Sequence, residues 1–262
     1  MSDAQQQDDE AASDASITTI DRAARLLTIL AAGEAMGMML TEIARQAGFG
    51  KGTTHRVLAA LVEVGFVFQN PENRRYRLGS RLTLMAQHAR TQELAFRVQP
   101  LLDRLAEQTG DTAFCSIREG LSAVCIARAT GEFPIRTLTL DVGSRRPLGI
   151  GAGSLALLAA LPDALVEDSM TKNARLLAAY PVYSPEWLTG RVKEARESGY
   201  AQNPGDILPG MGALGMVVGD PMIQPLAALS IAAISERVSP PRKALLLEKL
   251  REATDELLTL MR

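Results

Sequence analysis

Between Leu40 and Leu82 the apolar positions change their period twice. Ile43, Ala44 and Ala47 recur at helical spacing after Thr41, whose hydroxyl suits an N-cap. Gly48 follows where a left-handed residue ends a helix. Beyond Gly50 and Gly52 a second face runs through Thr54, Val57, Leu58 and Leu61, with Gly52, His55, Arg56 and Ala59 largely opposite. Gly65 closes that helix, and Phe66–Phe68 and Arg75–Leu78 read as two strands around the turn Asn70-Pro71-Glu72-Asn73. Two short helices, a tight connection and a hairpin are the layout of a winged helix-turn-helix.

The flanking patterns extend this plan. Ile20, Ala23, Ala24, Leu27 and Leu30, with Leu26 at the margin, predict a helix over 17–32 that packs on the two helices above. After Leu82 helical spacing continues to Gln108, and Pro100 marks a new helix starting near Gln99, so 81–92 reads as a linker helix. The period then falls to that of strands at Thr112–Ile117, Ala123–Ala127 and Ile135–Leu140. A glycine-rich loop, Val142–Ser154, leads into an apolar helix at Leu155–Leu161. Helices are expected from Pro162 to about Thr171 and from Ser184-Pro185 to Ser198, and strands at Gly212–Val218 and Leu226–Ala233. Ser239-Pro240-Pro241 precedes a last helix whose buried side includes Leu246, Leu250, Ala253 and Leu257. The fold class expected is α+β: a tail over 1–16, a winged helix over 17–80, the linker, and an α/β domain over 93–262 with antiparallel strands.

Charge changes the picture locally. The whole chain of 262 residues has a formal net charge of -2 and a pI of about 5.8. Residues 1–16 hold five acids and no base, a composition that predicts disorder. From Thr41 to Leu82 seven basic residues meet three acids, a local +4. That patch, rather than the overall pI, argues for a nucleic-acid partner. Arg56, Thr53, Thr54 and His55, with Gly52 leaving room, are placed to face bases. Lys51, Arg74, Arg75 and Arg77 are placed to hold phosphates.

Other chemistry is sparse. No apolar run is long enough to span a membrane, and the acidic N-terminus is unlike a signal peptide, so a cytoplasmic protein with no membrane partner is expected. Cys115 and Cys125 lack metal-type spacing, and the two histidines, His55 and His88, lie far from them. An enzyme with a cysteine nucleophile is therefore disfavoured. The glycine-rich loop before a helix either exposes N–H groups to an anion or packs closely on a sheet; spacing alone leaves both open.

The order of features resembles the isocitrate lyase regulator (IclR) family of bacterial transcription factors, from about Ile17 to the C-terminus. Lys51-Gly-Thr-Thr-His-Arg-Val-Leu58 with Leu61-Val-Glu-Val-Gly-Phe66 is similar to its recognition helix, and Arg75-Tyr-Arg-Leu-Gly79 to the end of its wing. Arg146-Pro-Leu148 with Gly151-Ala152 resembles the effector loop, and Gly199-Tyr-Ala201, Gly210 and Leu226–Ile231 the final strands. The resemblance implies a homodimer or homotetramer on a double-stranded palindromic operator, and a GAF-like domain that binds a small organic effector, often an acid or aromatic metabolite. No cofactor and no metal are expected, since the cysteines and histidines lack metal-type spacing. By position, Gly151 and Ala152 would offer backbone N–H groups to a carboxylate, with Asn203, Met211, Ala213 and Ser230 around it and Ile135 and Leu138 as apolar walls. Gly149 stands where many members have His, Asn203 where an acid is usual, and Ala213 and Ala232 at common polar positions. These departures point to a less polar or differently placed ligand, and away from glyoxylate-like acids.

Overall fold

The computed structural model describes residues 19–135, 140–219 and 227–261 of the chain. They form two compact units that divide between Ala89 and Arg90.

The first unit begins with a helix over 19–32, α1. It continues with α2 (Leu40–Ala47), α3 (Lys51–Glu63), β1 (Val67–Gln69) and β2 (Tyr76–Leu78). Leu26, Leu30, Ile43, Leu58, Leu61 and Val67 meet in one core. Leu26 is central there, whereas Ile20 is exposed, so the buried stripe of α1 is rotated from the expected one. Helix α2 starts one residue before Thr41: the N-cap is Met39, whose N–H donates to the Glu42 carboxylate at 2.8 Å. The acid three residues into the helix performs the backbone half of a capping box, and no hydroxyl is needed. Gly48 ends the helix at φ 69°, as expected. Strands β1 and β2 pair antiparallel, Phe68 opposite Arg77, and Tyr76 also exchanges backbone hydrogen bonds with Met38.

One helix, α4, runs from Ser80 to Thr109 with Pro100 inside it. No new helix begins near Gln99. The proline costs about 3 kcal/mol within a helix. Val98, Leu101, Leu102 and Leu105 are all buried around it, each worth roughly 1.5–3 kcal/mol, so burial wins and the helix continues.

The second unit is built on an antiparallel sheet of six strands. They are β3 (Thr112–Glu119), β4 (Ser122–Thr130), β5 (Arg145–Pro147), β6 (Ala201–Asn203), β7 (Met211–Val218) and β8 (Ala227–Ile234). Their order is β5-β4-β3-β8-β7-β6. Around it lie α5 (Ala152–Ala159), α6 (Asp163–Leu177), α7 (Pro185–Ser198), the short α8 (Ser235–Val238) and α9 (Arg242–Leu260). One sheet face is closed: Cys115, Ile117, Val124, Leu214, Leu229 and Ile231 share a core with the leucines of α4 and α9. The other face carries α5. That helix starts at Ala152, three residues before the expected Leu155, because its first turn lies flat on β7. A side-chain carbon on Gly215 would sit 2.6 Å from the Ala152 carbonyl, so only glycine allows this approach.

Some expected boundaries move. Of the strand expected at Ile135–Leu140, residues 136–139 lie outside the described residues. The strand beside β4 is Arg145–Pro147, which the glycine-rich pattern had placed in a loop; Ala123 pairs with Arg146. Helix α6 runs six residues past Thr171, to Leu177, since Asn173 and Leu177 are buried. Asp111 at the start of β3 is almost fully buried and takes Arg237 and Arg242 on its two oxygens, both at 2.7 Å. Charged groups are buried at this depth only when paired in this way, and here the pairing ties α8 and the start of α9 to the sheet.

Candidate functional site

Two sites emerge, one in each unit. In the first, Lys51, Gly52, His55 and Arg56 are exposed along the first two turns of α3, and Thr53 is half-exposed. Thr54 is not with them. It is fully buried and its hydroxyl donates to the Gly50 carbonyl at 3.1 Å, so its expected place facing bases is corrected. The helical period decides this, because Thr54, Leu58 and Leu61 share the buried face.

The hairpin carries the remaining cations. Arg74 is exposed at its tip with φ 58°, in a turn held by Asn70 and Asn73. Arg77 is exposed, with its guanidinium 4.7 Å from the centre of the Phe68 ring. Arg75 is half-buried and donates to the Gly37 carbonyl at 2.7 Å, so it braces the hairpin from inside rather than standing free for a phosphate. Arg81 likewise donates to the Val64 carbonyl at 3.0 Å. Of the residues expected to contact DNA, Lys51, Gly52, His55, Arg56, Arg74 and Arg77 are therefore the exposed ones.

The second site is a half-open cavity of about 60 Å³ on the α5 side of the sheet, several times what one water requires. Six of the eight residues expected there line it: Gly151, Ala152, Asn203, Met211, Ala213 and Ser230. Ile135 does not; it is 55% exposed. Leu138 lies outside the described residues. Period alone made Ile135 a strand residue, but no described strand begins there.

The sequence reading missed Phe114, Ser116, Cys125 and Arg146, which also line the cavity. The strand pairing, not the sequence pattern, puts them there. Arg145 reaches outward to the Glu119 carboxylate, so its neighbour Arg146 must face the other way. Ser116 pairs with Cys125 across β3 and β4, which puts both on the cavity side.

Some polar groups in the cavity are already engaged. The Asn203 carbonyl oxygen accepts from Gly205 and Asp206 N–H groups at 2.9 and 2.8 Å. Ser154 accepts from Gly149 N–H and donates to the Pro147 carbonyl, each at 3.1 Å. Ser116 and Ser230, both over nine-tenths buried, have no side-chain hydrogen bond among the described residues. Arg146 is half-buried, and desolvation lowers its pKa, yet a guanidinium keeps its charge. The Arg191 Nε and one Asp206 oxygen are buried without a hydrogen-bond partner among the described residues. Burial, then the neighbouring Asp206, pushes the Tyr183 phenol up.

The cysteines have no activating environment. Burial pushes Cys115 far up, with Cys125 adding to it, and pushes Cys125 up to about 11. Neither is a thiolate near neutral pH, and no group of His, Cys, Asp or Glu among the described residues is arranged for a metal. No described helix is long and apolar enough to cross a membrane.

A winged helix with an exposed cationic recognition face, in one chain with an α/β unit that holds a small-molecule-sized cavity, defines a DNA-binding transcription regulator. The chain belongs to the IclR family. Residues 19–71 match the IclR helix-turn-helix domain and residues 86–258 the bacterial transcriptional regulator IclR C-terminal domain. The chain is 27% identical over 245 residues to the HTH-type transcriptional regulator XynR of Escherichia coli, covering 90% of this chain and 94% of that one. Among solved structures, the IclR transcriptional regulator of Alicyclobacillus acidocaldarius matches with a TM-score of 0.57 at 25% identity, over 94% of this chain and 99% of that one. An IclR homologue from Microbacterium hydrocarbonoxydans, crystallised with 4-hydroxybenzoate, shares the fold with a TM-score of 0.54 at 22% identity, over 93% of this chain and 99% of its own.

Proposed function

We propose that the chain binds a palindromic operator as a homodimer or homotetramer and that a small organic acid in the cavity of the second unit switches that binding. In this reading Arg56, His55 and Thr53 meet base edges, and Lys51, Arg74 and Arg77 hold phosphates and so fix register. Arg75 supports the hairpin from within. The exposed row Lys51, Gly52, His55, Arg56 at the N-terminal end of α3 carries the DNA half of the proposal. The cavity at the start of α5 supports the ligand half, as does the Microbacterium homologue's 4-hydroxybenzoate. A ligand shifts DNA affinity only by as much as it prefers one arrangement of the paired winged helices; about 1–3 kcal/mol is usual for such coupling.

The test is a salt-series titration on the DNA upstream of the protein's own gene and on scrambled DNA of equal length. Selective binding that falls steeply with salt is expected. Arg56→Ala should lose about 1–3 kcal/mol of discrimination, whereas Arg77→Ala should weaken both DNAs alike and flatten the salt slope. Equal weak binding to both DNAs, unrelieved by any acid tried, would overturn the proposal.

A further inference from the structure

Resting on the reading of α3 and the hairpin as the DNA-binding face, we infer that residues 1–16 of the same chain are a tethered competitor for DNA. Their carboxylates, Asp8, Asp9 and Glu10 above all, settle on the exposed side of α3 against Lys51 and Arg56 whenever DNA is absent.

Charge is the first argument. Residues 1–18 lie outside the described residues, and their sequence holds Asp3, Asp8, Asp9, Glu10 and Asp14 with no Lys or Arg. Taking these five acids away turns the formal net charge of -2 into +3. Residues 2–16 have no apolar side chain larger than alanine, so their attraction to a surface is electrostatic. The cations they would meet are unmatched. Every ion pair between described residues lies in the second unit, from Glu93 onward. In the first unit Arg45, Lys51, Arg56 and Arg74 are exposed, and none has a carboxylate at ion-pair distance among the described residues.

Tether length is the second argument. The acidic stretch joins α1 at Thr19. Six residues on, about 9 Å along the helix axis, is Arg25. Its guanidinium lies 5.5 Å from the centre of the Phe49 ring, and Phe49 stands two residues before Lys51, where α3 begins. Asp8, Asp9 and Glu10 precede Thr19 by eleven, ten and nine residues, a tether that extends to roughly 30–40 Å. They therefore reach the first turn of α3. A tether this short gives them an effective concentration there on the order of millimolar.

Strength is the third. Three consecutive carboxylates on an extended chain carry about one charge per 3.5 Å, half the density of duplex DNA at about one per 1.7 Å. The stretch also has no base edges to offer. DNA therefore displaces it. Because operator and non-operator DNA compete for the same face, the tail lowers affinity for both by one factor, and most at low salt.

The experiment has two arms, both on the full-length protein. In the first, a water-soluble carbodiimide joins carboxylates to amines in direct contact, and the joined peptides are identified by mass spectrometry. Lys51 is the only lysine before Lys172, so its peptide reports on α3 alone. A Lys51 bond to Asp8, Asp9 or Glu10 should form at low salt, stay within one chain on a denaturing gel, and be lost when duplex DNA is added. In the second, a variant with Asp3→Asn, Asp8→Asn, Asp9→Asn, Glu10→Gln and Asp14→Asn is titrated with the upstream and the scrambled DNA. At low salt it should bind both about three- to tenfold more tightly than the unaltered chain, with a steeper salt slope, since counterions now cover the cations that the tail had covered. Circular dichroism checks that the variant folds, and the first arm uses the unaltered chain. No Lys51 bond to the tail, a bond only between chains, a bond that DNA does not diminish, or unchanged DNA affinity in the variant overturns the inference. Selective operator binding alongside any of these results leaves the regulator reading intact. A Lys51–tail bond with no DNA binding by either protein would sink the regulator reading, and with it the competition, and leave only the contact standing.

Discussion

The two faces of the six-stranded sheet are made by the same strands and do opposite things. Toward α4 and α9 the strands present Cys115, Ile117, Val124, Leu214, Leu229 and Ile231, which fill the space between sheet and helices. On the reverse they present Ser116, Ala123, Cys125, Ala213, Ser230 and Ala232, and a cavity remains. Branched side chains interdigitate to crystal-like density; alanines and serines under the start of a helix cannot reach one another. The cavity here is the consequence of small residues at alternate positions of strands whose other positions are large.

The strongest way to break the closed face is at its charged anchor. Asp111→Ala leaves Arg237 and Arg242, both largely buried, without their carboxylate, and should cost about 3–5 kcal/mol in urea unfolding of the second unit. Leu229→Ala should cost about 2–5 kcal/mol, since Leu229 is fully buried on the closed face. Its neighbour Ser230→Ala, on the open face, should change stability by no more than about 0.5 kcal/mol. Equal costs for these adjacent substitutions would refute the distinction between the faces. Ala232→Leu fills cavity rather than core and should cost less than the about 1–3 kcal/mol of an overpacked interior while abolishing ligand binding.

The cysteines give the smallest and most local contrast. Cys125 borders the cavity and Cys115 the closed core, so a neutral alkylating reagent should modify Cys125 first, and bound ligand should protect it. With its pKa raised from 9.0 to about 11, Cys125 is about one-thousandth thiolate at pH 8, and labelling should quicken about tenfold per pH unit up to 11. The native state holds this proton more tightly than the unfolded chain. Its stabilising contribution is complete below pH 9 and should fall as pH rises from 9 to about 11, a decline that Cys125→Ala should lessen and that the still more strongly raised Cys115 shares.

The winged helix was largely legible from sequence because its signals are local. The αL glycine at 48, the apolar stripe of α3 and the arginines of the hairpin each act within a few residues. Thr54 was misplaced although its period already put it on the apolar face with Leu58 and Leu61; Arg75 was misplaced because its partner, the Gly37 carbonyl, lies far away along the chain. In the second unit Gly151, Ala152, Asn203, Met211, Ala213 and Ser230 were placed by resemblance rather than by period, and they do come together. Arg146 was read as part of a loop motif, because a three-residue strand has no period to reveal its inward side.

The sequence by itself determined the order of most elements, the separation of a cationic surface from an otherwise acidic chain, and the small residues that open one sheet face. These follow from spacing and composition, which are properties of neighbours along the chain. Only the tertiary structure decided which strand positions face the cavity. Ser116 pairs with Cys125 but Cys115 with Ala127, so Ile126 is an extra residue in β4. Before that bulge the odd positions Ala123 and Cys125 face the cavity side; after it the odd positions Ala127 and Ala129 face the closed core. One inserted residue reverses the parity of a strand, and it can be seen only from the partner strand that leaves it unpaired.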